Sequence, residues 1–192
     1  MLVGLLINKL GFMHGDTSTD LTNILLYIVS PCLIVKAFEQ TFSADRLQML
    51  GRVILGIIVI YLLMIIVTQL VFKRVADENL RRIMRYGSVY SNAGFMGIPL
   101  TSSLFGSTGV FFAVASLAAF NIFSWTHGIT LFTGQQGSRR ENVKQIILNP
   151  NIIAIVVGLI LFITSIHLPT IANSAITYVS SINTPLSMIV IG

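Results

Sequence analysis

Two long stretches without a formal charge constrain this chain more than any other feature: no Asp, Glu, Lys or Arg occurs from Tyr86 to Ser138, nor from Gln145 to Gly192. A helix buried in a soluble core needs about 10–14 apolar residues and a membrane span about 20, so runs of this length must hold several spans. Val53 to Phe72 gives the clearest one, twenty uncharged residues closed by Lys73 and Arg74, whose cations suit a helix C-terminus. Only 10% of the residues are charged against 54% hydrophobic, roughly half the charged share of a soluble domain. The expected fold class is therefore an all-α membrane protein of about seven transmembrane helices.

The pattern places these spans at Met1 to Met13, Asp20 to Gln40, Leu47 to Arg74, Asn79 to Phe105, Thr108 to Gly134, Pro150 to Leu168, and Ala172 to the end of the chain. Lys and Arg divide unevenly between the two sides. The loops after the first, third and fifth spans hold nine: Lys9, Lys73, Arg74, Arg81, Arg82, Arg85, Arg139, Arg140 and Lys144. The other side holds three, Lys36, Arg46 and Arg52. Basic loops stay in the cytoplasm, so the expected orientation puts the N-terminus outside the cell membrane.

Other function classes find little support. The net charge of +5 does not form a basic face interleaved with aromatics, so nucleic acid is not an expected partner. Cys32 is the sole cysteine and forms no disulfide within the chain. Met1 to Met13 has neither the basic start nor the small-residue cleavage site of a signal peptide. No nucleophile with its base, metal-ligand spacing or glycine-rich phosphate loop is visible, so neither enzymatic chemistry nor a cofactor is expected.

An internal repeat is suggested by matches at one offset. Gly4-Leu5-Leu6-Ile7 matches Gly158-Leu159-Ile160-Leu161, and Ser30-Pro31-Cys32-Leu33 matches Thr184-Pro185-Leu186-Ser187, both 154 residues apart. Transporters are often built from inverted repeats, and an odd number of helices per copy inverts the second. The domain reading is a five-helix repeat over residues 1–134, a cytoplasmic loop over 135–149, and the sixth and seventh helices of an incomplete second copy over 150–192. Met1 to Met13 gives only about 20 Å of helix against a hydrocarbon core of about 30 Å. The sequence thus reads as clipped at both ends, a fragment of a protein of roughly 300 residues.

The fourth span carries the functional signal. Its segment Ser91-Asn92-Ala93-Gly94-Phe95-Met96-Gly97-Ile98-Pro99 packs two glycines and a proline into six residues. In a regular helix glycine costs about 1 kcal/mol and proline about 3 relative to alanine, so the helix is expected to break there. Backbone groups freed at membrane depth are tolerated only against protein or a water-lined cavity, and a half-helix N-terminus there suits an anion. The plain alternative is a proline kink that merely aids packing. Asn92 favours a site, because an amide in the bilayer needs partners, either a substrate or the break itself.

Asn121, Ser124, Thr126 and His127 in the fifth span are candidates for the same cavity, Asn121 and Ser124 sharing a helix face. Trp125 reads slightly better as an interfacial anchor than as a cavity wall, and Lys36 with Glu39 as a pair snorkelling at the end of the second span.

Ser91 to Leu100, SNAGFMGIPL, resembles the fourth-helix motif of the auxin efflux carrier family of membrane transporters, which includes bacterial malate permease-like members. Ser30-Pro31-Cys32-Leu33-Ile34, Asn149-Pro150-Asn151-Ile152-Ile153 and Pro185-Leu186-Ser187-Met188 with Gly192 fit the same pattern. The resemblance implies ten helices in two inverted repeats, a scaffold part and a transport part, and an elevator-like movement of organic anions. It makes Pro99 a crossover position and places Asn92 and Asn121 at the site. The short loop from Gly134 to Lys144 suits a bacterial member. The second crossover helix of the family lies beyond this sequence.

The expected substrate-binding residues are thus Ser91, Asn92, Gly94, Gly97, Pro99 and Asn121, with Pro31, Pro99 and Pro185 as hinge or crossover positions and no metal ligand. The expected function is secondary transport of small organic anions, malate- or auxin-like carboxylates, by alternating access, with H+ or Na+ as the coupling ion. Its expected partners are that anion and the lipid bilayer, and a homodimer is compatible with it. The alternative is a non-transporting membrane fragment or interaction subunit. A channel lacks the charged rings or filter sequence it would need.

Overall fold

The computed structural model of the protein describes residues 2–133 and 139–191, and every regular element among them is helical. In chain order these are α1 (Leu2–Lys9), α2 (Gly15–Phe38), α3 (Ala44–Arg74), α4 (Glu78–Val89), α5 (residues 93–105) and α6 (residues 107–133). They are followed by α7 (Arg139–Ile147), α8 (Pro150–Thr164), α9 (Thr170–Ser181) and α10 (Asn183–Ile191). The stretches Gly15–Phe38, Ala44–Arg74, Glu78–Phe132 and Thr170–Ile191 are long and apolar enough to cross a membrane, and α8 is a shorter apolar helix. The chain is an all-α membrane protein.

Several boundaries differ from the sequence reading. The first helix stops at Lys9 instead of Met13, and α2 starts at Gly15, five residues before Asp20. His14 to Thr22 looks too polar for a span, yet Thr19 and Thr22 turn their hydroxyls back onto the carbonyls of Gly15 and Ser18, at 3.0 and 2.7 Å. Side chains satisfied within their own helix escape a hydropathy reading. Arg139–Ile147, placed in a loop by its charges, is helical because Val143, Ile146 and Ile147 recur at helical spacing. Residues 134–138 of that loop lie outside the described residues.

Gly106 forms the corner between α5 and α6. Its φ of 60° and ψ of −149° lie in a region that only glycine occupies without strain. The chain therefore doubles back within the 55-residue apolar stretch Glu78–Phe132 instead of running on as one rod.

Burial concentrates where α2, α5, α6 and α8 meet. Ile34 and Phe38 of α2, Ile98 of α5, Phe111 and Val114 of α6, and Phe162 of α8 are almost fully enclosed. Phe38 meets Phe111 edge-on at 5.2 Å and Phe111 meets Phe162 at 5.3 Å, arrangements that suit the ring quadrupoles. Gly158 lets α8 lie against α2, because a Cβ there would sit 2.6 Å from Cδ2 of Phe38. Such close approach through a small residue is the usual way membrane helices gain contact when lipid gives no hydrophobic drive. By contrast α3 buries only Leu50, Tyr61 and Thr68, as befits a lipid-facing helix. α8 packs on α2, and α1 packs on α10.

Candidate functional site

The fourth span breaks, but three residues ahead of its glycines. Helix α4 ends at Val89; Tyr90 (φ −100°, ψ 85°) and Asn92 (φ −76°, ψ 72°) are non-helical, and the chain resumes at Ala93. Residues 93–97 then form a wide turn in which the Gly97 N–H reaches back five residues to the Asn92 carbonyl, at 3.2 Å. The expectation put the break at the Gly94-x-x-Gly97-x-Pro99 segment itself. The structure keeps that segment helical by widening it, since Pro99 lacks a donor and its ring crowds the preceding turn, and a widened turn relieves both. Pro31 repeats the device, following a wide turn over Leu25–Val29. Pro185 sits in the first turn of α10, after the interruption at Ile182, where its missing N–H costs nothing.

Asn92 caps the resumed helix. Its Oδ1 accepts the Phe95 N–H at 3.0 Å, while its Nδ2 has no hydrogen-bond partner among the described residues. The Gly94 N–H likewise finds no backbone acceptor. Ser91 and Asn92 are exposed, and with Gly97, Pro99, Ser103 of α5 and Thr184 and Met188 of α10 they line a cavity of about 580 Å³. Among the described residues no charged side chain lines it. Asn92 Nδ2, at the positive end of a helix, therefore lies at a chamber whose other described walls are apolar or weakly polar, and the Gly94 N–H lies two residues on in the same turn.

On the other side of the break, α4 is tied to α6. The Tyr90 hydroxyl donates to the Phe123 carbonyl and lies 2.9 Å from both that oxygen and Nδ1 of His127. Tyr86 pairs its hydroxyl with Ser124 at 3.3 Å. Both contacts fall at a third wide turn, Ser124–Gly128, and a Cβ on Gly128 would crowd the Tyr86 and Tyr90 rings at 3.0 and 3.2 Å.

The candidate residues thus divide. Ser91, Asn92, Gly97 and Pro99 line one cavity, and Gly94 lies in the same widened turn, with Leu117 of α6 3.5 Å from where its Cβ would be. Asn121 lies elsewhere, lining a second cavity of about 710 Å³ with Ser124, Trp125, Asn149 and Asn151. His127 faces Tyr90, and Thr126 turns its hydroxyl onto the Ile122 carbonyl, so neither joins Asn121. Trp125 is a cavity wall, against the preference for an anchor.

Lys36 and Glu39 do not snorkel as a free pair. Their 2.7 Å ion pair closes on Asn173 of α9, which accepts from Lys36 at 2.6 Å and donates to Glu39 at 2.6 Å. The Glu39 side chain is only 7% exposed, and nothing in the local sequence around Asn173 marks it as its partner. Among the described residues no cluster of His, Cys, Asp or Glu could hold a metal ion.

The sequence profile of a family described as membrane transport protein matches residues 1–145, three quarters of the chain. The chain belongs to this membrane transport family, the auxin efflux carrier family. The members of this family are described as membrane transport proteins. Two curated relatives are uncharacterized transporters of archaea. That of Methanothermobacter thermautotrophicus is 26% identical over all of this chain and 63% of its own length. That of Methanocaldococcus jannaschii is 23% identical over all of this chain and 64% of its own length. The chain thus spans less than two thirds of the relatives it matches. No solved structure gives a significant match.

Proposed function

We propose that the protein carries small organic anions, malate- or auxin-like carboxylates, across the cell membrane by alternating access, and that the solute binds at the break between α4 and α5. The observation that carries this reading is the pair of unpartnered donors, Asn92 Nδ2 and Gly94 N–H, at the start of α5 and beside the Asn92 cavity. A carboxylate at that helix start would take charge-assisted hydrogen bonds, and the apolar walls from Met96, Leu100 and Met188 would take its hydrocarbon part. A volume near 580 Å³ lies within the range of small-molecule sites. With no Lys or Arg among the described lining residues, the anion is held by dipoles and its charge is only partly compensated. Partial compensation favours release on the far side, which a carrier needs.

Two features support the transporter architecture. Spans one and seven pack together, as do spans six and two, the crossed arrangement that an inverted repeat with a 154-residue offset would give. The basic loops after the third and fifth spans favour their placement in the cytoplasm. A coupled H+ or Na+ supplies the driving force in this reading.

The test is uptake of a panel of radiolabelled mono- and dicarboxylates by cells expressing the gene, with the pH and Na+ gradients varied separately. Saturable uptake of one of them, lost in Asn92→Ala and Pro99→Ala at undiminished membrane abundance, is the expected result. Equal uptake by both variants and the wild type would remove Asn92 and Pro99 from the site.

A further inference from the structure

The break between α4 and α5 has a second side. A cavity of about 270 Å³ lies between α3, the end of α4 and α6, and Tyr61, Ser88, Ser91 and Ser116 line it. Four hydroxyls therefore belong to one small cavity, and none of them makes a hydrogen bond among the described residues. Elsewhere in the same helices Thr68, Thr101 and Ser103 turn their hydroxyls onto carbonyls of their own preceding turn. The four also differ from the fully enclosed unpaired atoms of this chain, Arg85 Nε, Asn151 Oδ1 and Asn183 Nδ2, in keeping surface that a ligand can reach.

The backbone supplies more oxygen. Helix α4 ends at Val89, and the carbonyls of Gly87, Ser88, Val89 and Tyr90 accept no backbone N–H among the described residues. They are the negative end of α4, and Ser88 and Val89 line this cavity. Hydroxyl and carbonyl oxygens are the ligands of hard cations, and interrupted helices with freed carbonyls are where carriers hold Na+. A divalent ion would call for carboxylates, and no acidic side chain is among the described lining residues. A proton would need a group that titrates near neutral pH, which serine lacks and tyrosine, at about 10, does not offer. The volume takes an ion and several waters at roughly 30 Å³ each.

We propose that this cavity binds Na+ through the hydroxyls of Tyr61, Ser91 and Ser116 and the carbonyls at the end of α4, and that it is the coupling-ion site. The coupling rests on the transport reading given above; the binding of the ion does not. Ser91 lines this cavity and the Asn92 cavity alike, so ion and solute share a residue of the break. An anion held only by dipoles gains from a cation next to it, and by linkage each ligand tightens the other by the same factor.

The purified protein in phosphatidylcholine nanodiscs is melted, with fluorescence detection, in NaCl, KCl and choline chloride at one ionic strength, which holds screening constant. Na+ raises the melting temperature saturably, and K+ and choline do so less. Tyr61→Phe and Ser116→Ala each delete one oxygen with little change of shape, and each raises the half-saturating Na+ concentration about tenfold or more. Equal melting in the three salts, or an unchanged half-saturating concentration in both variants, overturns the site. Carboxylate uptake with and without a Na+ gradient then tests the coupling. Saturable uptake indifferent to Na+ overturns the coupling and leaves the Asn92 site standing, whereas selective Na+ stabilisation without uptake of any carboxylate sinks the transport reading and leaves the ion site standing.

Discussion

Replacing Asn92 separates two roles that its amide performs with different atoms. Oδ1 caps α5 by accepting the Phe95 N–H at 3.0 Å, whereas Nδ2 is free to meet a solute. Losing an N-cap acceptor costs about 0.5–2 kcal/mol, and here the low end applies because Asn92 is exposed and water can reach the Phe95 N–H. A hydrogen bond from Nδ2 to a carboxylate is worth about 1.5–3 kcal/mol, a factor of roughly 10 to 150 in affinity. Asn92→Ser keeps a capping oxygen and replaces the amide donor by a shorter hydroxyl that does not reach where Nδ2 stood; Asn92→Ala removes cap and donor together. Asn92→Asp keeps the cap and sets a negative charge where the anion is to bind.

The expected order of uptake is wild type well above Ser, Ser equal to or slightly above Ala, and Asp lowest. The Ser and Asp proteins keep wild-type melting temperature, and Ala loses a few degrees. The assay is concentration-dependent uptake by expressing cells, normalised to surface protein, alongside fluorescence-detected melting of the purified variants. A Ser variant with wild-type KM would refute the reasoning, since the side chain would then be a cap and nothing more.

Four further outcomes follow from particular contacts. Gly158→Ala places a Cβ 2.6 Å from Phe38 and should destabilise by about 1–3 kcal/mol in a denaturant titration, while Gly56→Ala, with nothing within 4 Å, should not. Gly106→Ala forces a side chain into φ 60°, ψ −149° and should cost about 1–3 kcal/mol by thermal melting. Asn173→Ala leaves Glu39 in its buried position without its amide partner, and a loss of about 1–3 kcal/mol is expected, reversed in part by Asn173→Gln. Cysteine placed at Arg81 should react with an impermeant maleimide only after cells are opened, and cysteine placed at Ser43 in intact cells, if the basic loops face the cytoplasm.

Lipid-like composition and charge-free runs were enough to specify an all-helical membrane chain, because a bilayer admits few other backbones and a span has a minimum length. The corner at Gly106 fell between the fourth and fifth expected spans, since glycine next to serine in an apolar run is a local signal. Pro99 and the two glycines likewise marked which span would be irregular, because their preferences are local.

Tertiary structure decided everything that depends on which helices meet. The break moved to Tyr90–Asn92 because Tyr90 is held by Phe123 and His127 of α6, while the proline is accommodated by a wider turn. Asn92 and Asn121 sit in different cavities, and Glu39 finds its amide partner 134 positions away. No periodicity in the chain encodes such pairings. A residue's own sequence sets its conformational preference, whereas its partners across the fold are fixed by how the helices pack, and a buried polar atom is satisfied or orphaned only once that packing exists.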